Sequence, residues 1–291
     1  MVAPFPIVDA HQHFWDPRVN YHPWLCDQPP VAFRYGDYSA LRRPYLPADY
    51  FADAAPHRVT KTVYVETEWD PRDPLGEMRY VQRLRRETGF PSVAVAQAWL
   101  DREDADATLA ALAQVEYVRG IRHKPRPGQM SDGRWRAGFA RLAGLNLRFD
   151  LQAPWAQLGE ATQLARDFPE TQMVLNHTGL PSDRSREGIA GWQRALRGFA
   201  TCPNAAIKVS GLGVPGQAWT AESNREVVLA AIEIFGIERS MFASNFPVDG
   251  LCASFDTIVT GMREILRSFP ADEQRAFFHD NAVRIYDMEK Q

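Results

Sequence analysis

Eight short apolar runs, each closing on polar residues, set the first limit on what this chain can become. They read PIVDAHQH, KTVYVETE, SVAVAQAW, VRGIRHK, LRFDLQA, QMVLNHTG, AAIKVSGL and SMFASNFP. After the first, their starts lie roughly 25–35 residues apart, the length of one strand–helix unit. Between them apolar residues recur at helical spacing, over 75–87, 104–115, 156–168, 189–199, 222–235 and 254–269. Apolar strands alternating with helices predict a parallel sheet covered on both faces. Eight units predict an α/β fold of the TIM (β/α)8 barrel type, one domain over residues 1–291; a doubly wound sheet shares the pattern. At 291 residues and 45% hydrophobic content the chain can bury such a core unaided. No GxGxxG follows the first run and no Walker lysine motif occurs, which argues against a nucleotide site.

One connection breaks the rhythm. Residues 16–58 include DPRVNYHPWLCDQPPVAFRYGDYSALRRPYLP, rich in Pro, Tyr, Trp and Arg and poor in periodicity. Loops this long inside a compact domain are usually lids or binding loops. The expectation is a lid-like insertion over the C-terminal face of the barrel; a clamp on its outside is the alternative. The rest of the composition narrows the partners. A net charge of −3 suggests no polyanion, so no nucleic acid, and no apolar run reaches the length of a membrane span. Cys26, Cys202 and Cys252 are far apart and form no CxxC pair, which fits a reducing compartment. The start MVAPFPIVDA lacks the features of a signal peptide, so a cytoplasmic location is expected. A homo-oligomer is left open.

The unusual polar residues fall where the strands end. His11 and His13 close the first run, Glu66 and Glu68 the second, Gln97 the third, and Arg122 and His123 the fourth. Gln152 closes the fifth, Asn176 and His177 the sixth, Lys208 and Ser210 the seventh, and Asn245 the eighth, with Asp249 just beyond. Side chains alternate along a strand, so His11 and His13 share a face. If that face is the interior, residues from around the ring converge on one point. Packing roles are the alternative for each: a backbone-bonded His177, a Glu66 paired to an arginine in the wall, an Asp249 capping the helix that begins near Ser254. His123 has the opposite parity to Arg122 and is expected to face outward. His22, His57 and His279 read as loop or helix residues. Phe14, Trp15 and Trp24 either close the core or line the pocket.

The stretches DAHQHFWDP, VYVET, VRGIR, FDLQ, VLNHTGLP, IKVSGLG, MFASNFPVD and FHDNAVRIY, taken as an ordered set, carry a resemblance. The chain resembles the amidohydrolase superfamily in its amidohydrolase-2 branch, near the sugar-lactone and 2-pyrone-4,6-dicarboxylate hydrolases. That resemblance implies a distorted TIM barrel with HxH on strand one and further ligands on later strands, among them a strand-five His, a strand-six His and a strand-eight Asp. His11 and His13 match the HxH and His177 the strand-six histidine. Gln152 stands where the strand-five histidine would be, and Asn245 where the strand-eight aspartate would be. An amide is a poor zinc ligand and cannot take a proton from water. Two arrangements follow: a divalent metal (Zn) held by His11, His13 and His177 with an open position, or catalysis without metal, which is slightly favoured.

The expected function is a hydrolase that opens a sugar lactone or similar cyclic ester, a small-molecule substrate, by adding water. It needs a base, oxyanion donors and a proton for the leaving alkoxide. His11, His13 and His177 are expected to polarise the carbonyl, Asp249 to act as the base, and Asn245 to orient water or substrate. Arg122, Gln152, Glu66, Lys208, Trp15 and Trp24 are expected to bind substrate. A metal-dependent decarboxylase of an unsaturated or aromatic acid is the first alternative. A non-catalytic barrel that binds a sugar acid is the second.

Overall fold

The computed structural model describes residues 5–289. The start of the amino-terminal reading and the last two residues of the expected domain lie outside them. All eight predicted runs form strands: β1 (Ile7–Gln12), β2 (Val59–Val65), β3 (Val93–Gln97), β4 (Val118–His123), β5 (Arg148–Leu151), β6 (Met173–Leu175), β7 (Ala205–Val209) and β8 (Ser240–Phe242). They pair in parallel and in chain order within one sheet. Eight helices follow them in the outer ring: α1 (Pro47–Ala54), α2 (Gly76–Thr88), α3 (Ala105–Ala113), α4 (Gly133–Gly144), α5 (Leu158–Asp167), α6 (Arg186–Ala200), α7 (Ala221–Phe235) and α8 (Phe255–Ile265). The architecture is the expected TIM-like barrel, nearly closed, in a single domain.

α1 narrows the expected insertion. It lies within 16–58 yet takes the first place in the ring, its Tyr50 ring 5.7 Å from the Phe255 ring of α8. The part of the insertion outside the ring is therefore the loop between Trp15 and Tyr45. These two residues exchange backbone hydrogen bonds of 3.0 and 2.9 Å, which pinch the loop at its neck.

The barrel closes through an irregular seam. β1 and β2 slip in register: Asp9 pairs with Thr62 but Gln12 with Tyr64, so three steps on one strand match two on the other. A bulge of this kind interrupts the in–out alternation and re-aims side chains. Val8 and Ala10 belong to the interior cluster with Val63, Val65, Val93, Val95 and Val174. Asp9 points outward and accepts a 2.8 Å hydrogen bond from the Tyr50 hydroxyl. The same carboxylate accepts from the Ser244 amide at 2.8 Å and its hydroxyl at 2.5 Å, so it stitches β1 to the residues after β8. Beyond the bulge, Asn245 N donates to His11 O and His13 N to Phe246 O, both at 2.8 Å. Apolar Ala282, Ile285, Tyr286 and Met288 stopper the opposite mouth, packed on the same interior cluster. Arg148 at the start of β5 ties that plug down through Ile285 O at 2.9 Å. The plug seals one end of the barrel and leaves the strand ends at the other end uncovered by it.

Candidate active site

At the open end lies a cavity of about 310 Å³. His13, Glu66, Arg122, Gln152, His177 and Asn245 from the strand ends line it, with Trp15, Trp24, Val31, Phe33 and Arg34 from the loop and its neck. Of the predicted site residues these eight reach the cavity: His13, His177, Asn245, Arg122, Gln152, Glu66, Trp15 and Trp24. His11 is sealed just beneath it, with its ring 4.5 Å from the His177 ring and 4.9 Å from the His13 ring, centroid to centroid.

The backbone here is held in uncommon conformations. Seven non-glycine residues have positive φ among the described residues. Four of them, Glu68, His177, Leu180 and Asn245, line this cavity. Left-handed backbone outside glycine is strained, and such strain gathers at functional sites. Gly211, after β7, passes so close that a Cβ there would lie 2.6 Å from His177 Cβ, which leaves no room for a side chain.

The hydrogen bonds fix the chemical states. His13 Nδ1 lies 2.7 Å from Val65 O, and a carbonyl only accepts, so Nδ1 carries the proton. Burial first, and then the Arg122 charge, push the His13 pKa down to about 3. The ring is neutral at pH 7 and Nε2 is a lone pair. It faces Asn245 Oδ1 at 3.3 Å. The Asn245 amide cannot turn over, because its Nδ2 donates to Asp249 Oδ1 at 2.6 Å. Two acceptors therefore look toward one point on the cavity wall. His177 Nδ1 lies 3.0 Å from Ser210 Oγ. Burial, helped by Arg34 and Arg122, holds the His177 pKa well below the ordinary value. Burial, with Lys208 next, does the same for His11.

Arg122 is locked in place. Its Nε donates to Glu66 Oε1 at 2.5 Å, Nη2 to Glu66 O at 2.6 Å and Nη1 to Gln152 Oε1 at 2.8 Å. Burial works to raise the Glu66 pKa, but Arg122 and Lys124 outweigh it and leave it lowered, so Glu66 is ionised.

Three expectations need correction. Lys208 is not a substrate ligand: it is fully buried below the site and its Nζ bonds Asp150 Oδ2 at 2.5 Å. Asp249 stands behind Asn245 and off the cavity wall, so it reaches the site only through that amide. It does not cap the next helix either, since Ser254 accepts from Thr257 N there. The zinc arrangement of His11, His13 and His177 also fails on its donor set. Arg122 Nη1 turns toward His11 Nε2 at 3.5 Å, Glu66 is committed to Arg122, and position 245 is an amide. Among the described residues no three His, Cys, Asp or Glu side chains are placed to share an ion. His123 faces outward as its parity predicts, accepting from Trp135 Nε1 at 3.0 Å. His22 is buried against Thr67 and does not touch the cavity.

Sequence reasoning missed Arg34, Phe33 and the rim pair Lys124–Glu68, in which Glu68 was noted but given no role. Lys124 had a signal, since it directly follows β4. The loop residues had none, because a segment without periodicity gives no hint of which side chain turns inward.

The profile of the family described as Amidohydrolase matches residues 8–288. An uncharacterized protein of Sinorhizobium fredii, y4mH, is 40% identical over 293 residues, 96% of this chain and 98% of that one. An L-fucono-1,5-lactonase of Burkholderia ambifaria is 28% identical over 261 residues, 85% of this chain and 82% of its own. Among solved structures, an amidohydrolase of Burkholderia multivorans with bound zinc superposes with a TM-score of 0.83 at 24% identity, over 97% of this chain and 99% of that one, a likeness of fold.

Proposed function

The chain belongs to the amidohydrolase family, and from that premise we propose that it opens a neutral sugar lactone, or a closely similar cyclic ester, by adding water to the ring carbonyl. One observation carries this reading: the lone pairs of His13 Nε2 and Asn245 Oδ1, 3.3 Å apart, meet at the cavity wall. Two acceptors cannot bond each other. A water that gives one proton to each satisfies both and turns its own lone pair toward the substrate.

The steps follow from these roles. The water oxygen bonds to the carbonyl carbon while its proton passes to His13 Nε2. The ring's low affinity for a proton rises as negative charge develops on the carbonyl oxygen beside it. The carbonyl electron pair moves onto that oxygen, beside the positive charge of Arg122, which Glu66 and Gln152 already hold in place. When the adduct collapses the ring C–O bond breaks, and the leaving alkoxide takes the proton from His13. The product is a hydroxy acid, which ionises and releases one proton to solvent.

The cavity favours a neutral polyol over a dicarboxylate. Glu66 and Glu68 on its wall repel a substrate carboxylate, and Arg122 and Lys124 are already paired to them. Gln152 and the rim pair offer donors and acceptors to hydroxyls, while Trp15, Trp24 and Phe33 form an apolar wall. The lactonase name carried by relatives at 28% and 26% identity supports the same reading.

The test is a panel of 1,4- and 1,5-sugar lactones, a pyrone dicarboxylate and aromatic acids, followed with a pH indicator and a carbon dioxide assay. One proton per ring opened, from neutral lactones, is expected, and it persists after a chelator. Carbon dioxide release, a preference for the dicarboxylate, or no acid from any lactone overturns the reading.

A further inference from the structure

Asp249 is a buried carboxylate with four donors drawn from three separate segments. Its Oδ1 accepts from Asn245 Nδ2 at 2.6 Å, the Tyr35 hydroxyl at 2.9 Å and Arg34 Nη2 at 3.3 Å. Its Oδ2 accepts from Gly211 N at 2.9 Å. It is 2% exposed and off the cavity wall, so it touches no substrate. Two of the four donors come from the tip of the loop whose neck is pinned at Trp15 and Tyr45. That tip is the roof of the cavity, where Val31, Ala32, Phe33 and Arg34 line it. It is seated by further contacts. The Arg34 guanidinium lies over the Tyr35 ring at 4.5 Å, and the Phe33 ring stacks on Trp24 at 5.8 Å with 7° between the planes.

From this geometry we infer that Tyr35 and Arg34 are positioning residues, which dock on Asp249 and so fix the Asn245 amide that faces the cavity. The inference rests on the water-addition reading above. A buried carboxylate needs its donors, and hydrogen bonds to a charged group are the strong ones. With the tip lifted, Asp249 keeps only Gly211 and Asn245, opens to solvent, and no longer holds the amide in one orientation. Oδ1 of Asn245 then ceases to be a fixed acceptor beside His13. With the tip seated, roof and water seat form together, so the loop couples enclosure of substrate to assembly of the site. Tyr35 acts entirely through Asp249, because it does not line the cavity.

The experiment is a double-mutant cycle of Tyr35→Phe and Asp249→Asn in the full chain, read by lactone turnover and by trypsin cleavage after Arg34. Tyr35→Phe keeps the ring and removes one hydroxyl. It should lower kcat ~10-fold and leave KM within about twofold, the size of one hydrogen bond to a charged group. Asp249→Asn should lower kcat further, and the double variant should be no slower than Asp249→Asn alone, because both act on one link. Each single variant should also be cut faster after Arg34, while cleavage elsewhere stays at the wild-type rate; a variant that merely misfolds is cut throughout. Wild-type kcat in Tyr35→Phe, additive losses, or an unchanged cutting rate after Arg34 overturns the inference. If the wild type turns over no lactone, the functional reading fails instead, and the proteolysis arm still decides whether the tip docks on Asp249.

Discussion

Two polar clusters lie inside the same barrel, and they are built on opposite principles. Below the site, Asp150 accepts from Lys208 at 2.5 Å, from Asn176 at 2.9 Å and from Tyr286 at 2.8 Å. The ammonium also lies 5.0 Å from the centroid of the Tyr286 ring. Both carboxylate oxygens are engaged, and the pair is sealed from solvent. Above it, the histidine cluster is left short of partners. Among the described residues His11 Nδ1 has no hydrogen-bond partner, and His13 Nε2 confronts another acceptor. Buried polar groups are ordinarily paired, so a group left over calls for an explanation. In the lower cluster electrostatics serve the fold. In the upper one, the acceptor pair of His13 Nε2 and Asn245 Oδ1 lies on the wall of a cavity that a substrate can fill.

The sharpest way to break this contrast is His13→Gln. Turnover should fall by about 10²–10⁴-fold, the usual loss when a general base is removed. The unfolding free energy from denaturant titration should fall by no more than about 1 kcal/mol, because the amide can still donate to Val65 O. If the fold suffers more than turnover, the upper cluster is structural after all. Lys208→Met tests the lower cluster. It strands Asp150 as a buried unpaired charge, and removing one partner of such a pair is worth about 3–5 kcal/mol of stability. A loss below about 1 kcal/mol in chemical denaturation would remove the distinction between the clusters.

The smallest effect concerns pH. His13 has a folded pKa of about 3 against an ordinary value of 6.5. Between those values the unfolded chain binds a proton that the folded chain does not. This histidine therefore contributes stability above pH 6.5 that is lost as pH falls toward 3. One such group adds a slope of up to about 1.4 kcal/mol per pH unit. Stability curves of the wild type and His13→Gln should diverge by about 1 kcal/mol between pH 6.5 and 5.5, where the unfolded histidine is still taking up its proton. Parallel curves would mean that the ring is solvated and charged, and that the two clusters differ less than their geometry suggests.

How much of this was legible in the chain varies by residue. The eight strands and the outer helices were, because hydrophobic periodicity is a local property that burial on two faces imposes. The gathering of His13, His177, Arg122, Gln152 and Asn245 was legible too, since parallel strands in ring order bring their ends to one rim. The state of each was not. Lys208 and Gln152 both follow strand parity inward, yet one is sealed under the site and the other lines it. The difference is depth along the barrel axis, which alternation does not encode.

By itself, then, the sequence determined the number and order of the strands, the end of the barrel where polar residues gather, and the side-chain types available there. Only the tertiary structure decided which of them reach the cavity and which lie sealed beneath it. The bulge in β1 turns Asp9 out to the β1–β8 seam and His11 in toward the axis, although regular alternation would send both the same way. The loop tip sets Arg34 and Tyr35 on a carboxylate more than two hundred residues away. Both depend on contacts between segments remote in the chain. Such contacts exist only once the ring has closed, so a pattern read a few residues at a time cannot contain them.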